Sequence, residues 1–127
     1  MVGRTNAGGG GGATEPYIEE IYDASGKLID VKLYGYDKIR DYLFSDCSNL
    51  TLTSLPSGIT SIGNYAFRDC TGLTSITFTG TPNTISSYAF YGCKNIRTIN
   101  VPWANGAVAD APWGATNATI NYNYTEA

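Results

Sequence analysis

Three segments of this chain superimpose without a gap, and their register limits what it can fold into more than any other feature. They are residues 39–50, 62–73 and 85–96. Ile39, Ile62 and Ile85 recur at one fixed interval, and so do Phe44, Phe67 and Phe90, then Cys47, Cys70 and Cys93, then Leu50, Leu73 and Ile96. A fixed period of this kind marks a stack of like units. One unit cannot bury its own apolar face, so neighbours must stack, and about three are the minimum for stability. The chain has three, with an end piece on each side.

Inside each unit the apolar spacing changes part-way. Ile62, Ala66 and Cys70 lie four apart with Phe67 beside them, which predicts one face of a short helical turn. After Leu73 the spacing becomes two: Ile76 and Phe78 alternate with Ser75, Thr77 and Thr79, as in a strand with one buried side. Ile99 and Val101 do the same against Thr98, Asn100 and Pro102. A helical turn followed by a short strand predicts an α/β repeat, with each coil of a solenoid built from about 23 residues.

The residue pattern Ile-x-x-x-Ala-Phe-x-x-Cys-x-x-Leu-x-x-Ile-x-Phe/Val resembles the BspA-type leucine-rich repeat, also seen in treponemal surface proteins. The resemblance covers residues 39–102 and implies a short right-handed leucine-rich-repeat solenoid. The first repeat departs from the pattern. Leu43 replaces the usual Ala, and Thr53 stands where Ile76 and Ile99 stand later, so Leu52 and Leu55 are expected to supply the apolar strand contacts. The tail from Val101 to Tyr124 resembles the ending of short repeat proteins from gut Firmicutes and their prophages. The resemblance implies attachment to surfaces, by a bacterial adhesin or by a phage tail accessory.

Around the repeats the chain divides further. Residues 1–16 carry five consecutive glycines, Gly8 to Gly12, and read as a flexible tether. A phosphate-cradling loop is excluded there because no Lys-Ser or Lys-Thr follows and no strand precedes. Residues 17–34 hold two β-rich runs around Ser25-Gly26, a hairpin that caps the first coil. In its second arm Ile29, Val31 and Leu33 alternate with Asp30, Lys32 and Tyr34, one dry face and one wet. Residues 35–102 are the repeats, and 103–127 form a C-terminal cap in which Ala118, Ile120, Tyr122 and Tyr124 alternate with polar residues as a cap strand.

Composition excludes several functions. There is no histidine among the 127 residues, which removes Ser-His-Asp and Cys-His catalysis and histidine metal ligation. Charged residues are 15% and the formal net charge is −3, so the chain lacks the basic footprint of a nucleic-acid binder. No run approaches the roughly 18 apolar residues of a membrane span. The first residues, Met1 to Asn6, lack an apolar stretch behind Arg4 and do not read as a secretory signal. Either the chain is made in the cytosol or a signal has been removed. The resemblance places it outside the cell, at a cell surface or on a virion.

Four constellations could carry function. The cysteines occupy an inward landmark, have no close Cys-x-x-Cys partner and are odd in number, which favours buried thiols over metal or disulfides. Asp46 and Asp69 recur at the repeat period. Strands of adjacent coils are about 4.8 Å apart, so these carboxylates could approach the roughly 5 Å of a retaining glycosidase pair. Gly92 breaks the series and no pocket is evident to raise one pKa, so solvated loop acids are the better reading. On the strands, Ser75, Thr77, Thr98 and Asn100 point outward, with Leu52 and Ser54 if the first strand keeps register, as a shallow uncharged surface. Trp103, Trp113, Tyr122 and Tyr124 cluster in the tail as candidates for stacking on a sugar or protein, although the alternation around Tyr122 and Tyr124 favours a seal on the last coil.

These readings combine into a non-catalytic surface-binding or adhesion module with no cofactor and no metal. Its partner would be a protein or glycan on a cell surface, with no nucleic acid and no membrane insertion. Ser54, Ser75, Thr77, Thr98, Asn100, Trp103 and Trp113 would be the ligand-binding residues, and the tether would allow multimeric display. The alternative is a phage tail or virion accessory, a structural decoration whose caps serve only solubility.

Overall fold

The computed structural model describes residues 2–5, 16–52 and 54–125. Among these residues ten strands follow in chain order: β1 (Val2–Thr5), β2 (Tyr17–Tyr22), β3 (Leu28–Tyr34), β4 (Lys38–Ile39), β5 (Ser54–Leu55), β6 (Ser61–Ile62), β7 (Ser75–Phe78), β8 (Thr84–Ile85), β9 (Thr98–Asn100) and β10 (Thr119–Asn121). They form three sheets: β1-β2-β3, β4-β6-β8 and β5-β7-β9-β10.

The second and third of these sheets are parallel, and their register repeats the sequence period. Ile39 faces Ile62, which faces Ile85. Ser54 faces Thr77, and Thr77 faces Asn100. Each of the first three coils thus contributes one strand to each of these two sheets, and the chain winds as a leucine-rich-repeat solenoid. The landmarks line its interior: Leu50, Phe67, Cys70, Leu73, Ile76, Phe90, Ile96, Ile99 and Val101 are fully buried. Phe44, Phe67 and Phe90 stack ring on ring, with centroids 5.3 and 5.1 Å apart.

The expected helical turn is replaced by something tighter. Among the described residues no α-helix forms, so the α part of the α/β repeat is corrected. The apolar side chains point inward as the four-residue spacing requires, but the backbone runs through successive i to i−3 turns, such as Arg68 N–H to Tyr65 and Cys70 N–H to Phe67. Alternate amides leave the coil instead. Phe44, Asp46, Phe67 and Asp69 donate to Ala66, Arg68, Ala89 and Tyr91 of the next coil at 2.7–2.8 Å. Tyr42, Asp46, Tyr65 and Asp69 have φ of 64°, 65°, 57° and 58°, left-handed values that no α-helix accommodates. The first three coils are therefore tied to one another along three lines, two sheets and this turn ladder.

The N-terminal hairpin pairs Tyr17 with Tyr34 and Ile18 with Leu33. Its tip is closed by the Asp23 carboxylate, which accepts the Ser25 and Lys27 amides at 2.8 and 3.0 Å while Gly26 takes φ 84°. Those amides, Lys27 foremost, hold the Asp23 carboxyl below its ordinary range. Val31 and Leu33 are buried against the first coil, and Ile29 accepts the Thr51 amide at 2.7 Å. The tether expected over 1–16 differs at its start: Val2–Thr5 pairs antiparallel with β2, which offers it an open edge. The rest of that stretch, Met1 and residues 6–15, lies outside the described residues, as does Thr53.

At the other end the repeat register runs on into the cap. Val108 and Trp113 stand one full period after Ile85 and Phe90, and both are buried. Phe90 N–H donates to Trp113 C=O at 2.8 Å, the same bond that joins the earlier coils. This coil then closes early: Ile120 faces Ile99, where a full period would have brought Tyr122. The cap strand is β10, with Ile120 and Tyr122 packed on the core.

Candidate functional site

The outward face of β5, β7, β9 and β10 carries no charged residue. Ser75, Thr77, Thr98 and Asn100 are half-buried there, and Ser54 is exposed at the edge. The face is organised by its own side chains. Asn100 Nδ2 donates to Thr77 Oγ1 at 3.1 Å, and Asn121 Nδ2 donates to Asn100 Oδ1 at 2.8 Å. Each amide keeps donor and acceptor capacity beyond these bonds. Thr119 and Asn121 extend both outward rows by one rung, whereas the sequence marks them only as part of the cap. Leu52 is not part of this face: it is buried, because the chain turns it inward before β5 begins.

The cysteines are free thiols. Cys70 and Cys93 are buried, and each donates to a carbonyl of the preceding coil, Phe44 at 3.0 Å and Phe67 at 2.9 Å. The adjacent Cys93 thiol and burial push Cys70 up from its ordinary range. Cys47, at the hairpin end, is only half-buried; desolvation, then Asp46 and Glu20, raise it too. Alkylation of the native protein is expected to modify Cys47 slowly, and Cys70 and Cys93 only on unfolding. Equal native reactivity of all three, read by intact mass, would contradict this packing.

Asp46 and Asp69 do not face each other as a free acid–base pair. Arg68 joins them, with Nη2 3.0 Å from Asp46 Oδ2 and Nε 3.5 Å from Asp69 Oδ2. Their recurrence has a backbone cause. Asp46, Asp69 and Gly92 all take positive φ (65°, 58° and 79°), a conformation that Asp and Gly tolerate better than most residues. Among the described residues no cluster of three or more metal-ligating side chains forms.

The family model of the BspA-type leucine-rich repeat region matches residues 34–109 in six copies. The chain is a BspA-type leucine-rich repeat protein. No curated protein and no solved structure matches it. Repeat arrays of this kind serve as extended binding surfaces. Among the described residues of this BspA-type protein, no helix is long and apolar enough to cross a membrane.

The tryptophans must be removed from the candidate ligand-binding residues. Trp113 is fully buried and Trp103 is 5% exposed, so neither ring can stack on a partner. They pack against one another edge to face at 6.1 Å, and Phe78 meets Trp103 at 5.2 Å. The fourth coil puts Trp113 in the slot that phenylalanine fills in the other three, and the matching spacing was the signal for it.

The exposed aromatics lie elsewhere. On the turn side, Tyr42, Tyr65 and Tyr88 stack at 5.4 and 5.7 Å, and Tyr91 meets Tyr65 and Tyr88 edge to face. The Arg68 guanidinium lies 6.0 Å from the ring centres of both Tyr42 and Tyr65. Tyr42, Tyr88 and Tyr91 are each about half exposed, at 53%, 49% and 50%. Sequence reasoning missed this row, although the three stacked tyrosines recur at the repeat period.

Proposed function

We propose that this BspA-type repeat protein is a non-catalytic module that attaches to a cell surface, and that the outward face of the four-stranded sheet is one contact face. The supporting observation is the in-register row of Ser54, Thr77, Asn100 and Asn121, which is uncharged and retains hydrogen-bonding capacity. Such a face engages a protein strand or glycan through many weak, directional contacts. Display in many copies through the N-terminal segment would turn weak single contacts into avidity. The role is binding rather than catalysis: the chain has no histidine, and an arginine bridges its recurring carboxylates.

The test is binding of bead-multimerised protein to intact Gram-positive gut bacteria and to a mucin and matrix-protein panel. Saturable binding is expected. Thr77→Arg and Asn100→Arg should weaken it by about tenfold or more, equivalent to about 1.4 kcal/mol, while the protein stays folded. Binding to bacterial envelopes would favour a phage-tail setting, and binding to mucin or matrix an adhesin. Silence on both panels from a folded sample would leave a structural decoration as the remaining role.

A further inference from the structure

The row of exposed tyrosines stops at the third coil. One period after Tyr88 stands Ala111, and one period after Tyr91 stands Gly114, so the fourth coil carries no ring at either place. Gly114 has φ 89°, and a β-carbon there would lie 2.9 Å from the Tyr91 backbone nitrogen. That position cannot carry a side chain without moving the backbone. The last rings of the row are thus left half exposed by the chain that follows them.

Tyr88 and Tyr91 meet at 77° with centroids 6.0 Å apart, a corner rather than two parallel walls. The corner opens on a groove of about 600 Å³ whose rim carries Asp69, Thr71, Lys94 and Thr116. The side chains of Thr71, Lys94 and Thr116 make no hydrogen bond or ion pair among the described residues. Asp69 is ion-paired with Arg68, which also holds Asp46, so with Lys94 two carboxylates and two cations leave the corner without net charge.

We propose that this corner is a glycan subsite that takes one neutral hexopyranose unit. A pyranose has an apolar C–H face that suits an aromatic ring and a rim of hydroxyls that needs donors and acceptors. The corner supplies both: two tyrosine rings, an acceptor in Asp69, a donor in Lys94 and hydroxyls that do either in Thr71 and Thr116. The balanced charge suits a neutral sugar better than an acidic one. A proline-rich peptide would need aromatic ridges continuing along its length, and the next coil has none. The subsite rests on the binding-module reading but not on the strand face.

The experiment is saturation-transfer NMR on the full chain with neutral trisaccharides of glucose, galactose, mannose and N-acetylglucosamine. At least one is expected to receive saturation at the C–H protons of one ring. Tyr91→Ala should lower affinity by about tenfold or more, whereas Tyr91→Phe and Tyr42→Ala should leave it unchanged. Circular dichroism would confirm that each variant is folded. Transfer to none of the sugars, or transfer undiminished in Tyr91→Ala, would overturn the proposal. Loss in Thr77→Arg but not in Tyr91→Ala would assign the sugar to the strand face; the corner would then fail while the binding module stood.

Discussion

Phe67→Ala is expected to destabilise the protein by about 3–5 kcal/mol, the range for truncating a buried phenylalanine. The ring is fully buried and stacked on both sides, by Phe44 at 5.3 Å and Phe90 at 5.1 Å. Its removal opens a cavity that the turn ladder cannot collapse, because the Phe67 and Phe90 amides are anchored to the next coils. Domain stabilities are typically about 5–15 kcal/mol, so about a fifth or more of the total is at stake. In a repeat array stability is a sum over neighbouring interfaces. Phe44→Ala removes a ring with one stacked phenylalanine neighbour and should cost less. Tyr88→Ala deletes a ring of similar size that is half exposed, and should cost well under half as much. Urea unfolding of the three variants provides the comparison; equal losses for Phe67→Ala and Tyr88→Ala would contradict the assignment of the core.

Trp113→Ala is the second large effect, again about 3–5 kcal/mol. The indole is fully buried, contacts Trp103 and Phe78 at 6.1 Å each, and donates from Nε1 to the Ala109 carbonyl at 2.8 Å. Losing the ring uncovers the last coil and leaves the Ala109 carbonyl without this donor. Trp113→Phe restores the residue type that fills this slot in the other coils and removes chiefly the hydrogen bond and part of the ring. Its cost should be nearer about 1–2 kcal/mol, one net hydrogen bond plus a small cavity. A thermal melt separates the outcomes. If Trp113→Ala melts like the parent, the cap is not part of the cooperative unit.

Much of this was legible in the residues. The inward landmarks Ile39, Phe67, Cys70, Leu73 and Ile99 are where their spacing puts them, since burial of a periodic apolar set is a local property that stacking preserves. The polar strand row is legible for the same reason, because side chains on a strand alternate. The turn segments were not. Ile62, Ala66 and Cys70 satisfy a helical spacing, yet the amides of Phe67 and Asp69 find better-placed carbonyls in the neighbouring coil, at 2.8 Å, than a helix would supply.

The candidate site divides along the same line. The tail aromatics read better as a seal than as exposed platforms, yet the sequence could not take Trp103 and Trp113 out of the binding candidates; the decision lay in whether a fourth coil existed to enclose Trp113. The tyrosine row recurs at the repeat period, but that its rings stack on the exposed turn side was decided only by how the coils fold and stack.

The residue order by itself therefore determined a stacked solenoid of about 23-residue coils, its core, its uncharged strand face and its lack of histidine chemistry. Tertiary structure alone decided that the turns are not helical, that the last coil closes short of a full period and buries both tryptophans, and that the exposed rings end in a corner. The physical reason is that periodic burial is set within each coil, whereas those three outcomes depend on hydrogen bonds and ring contacts that exist only between coils.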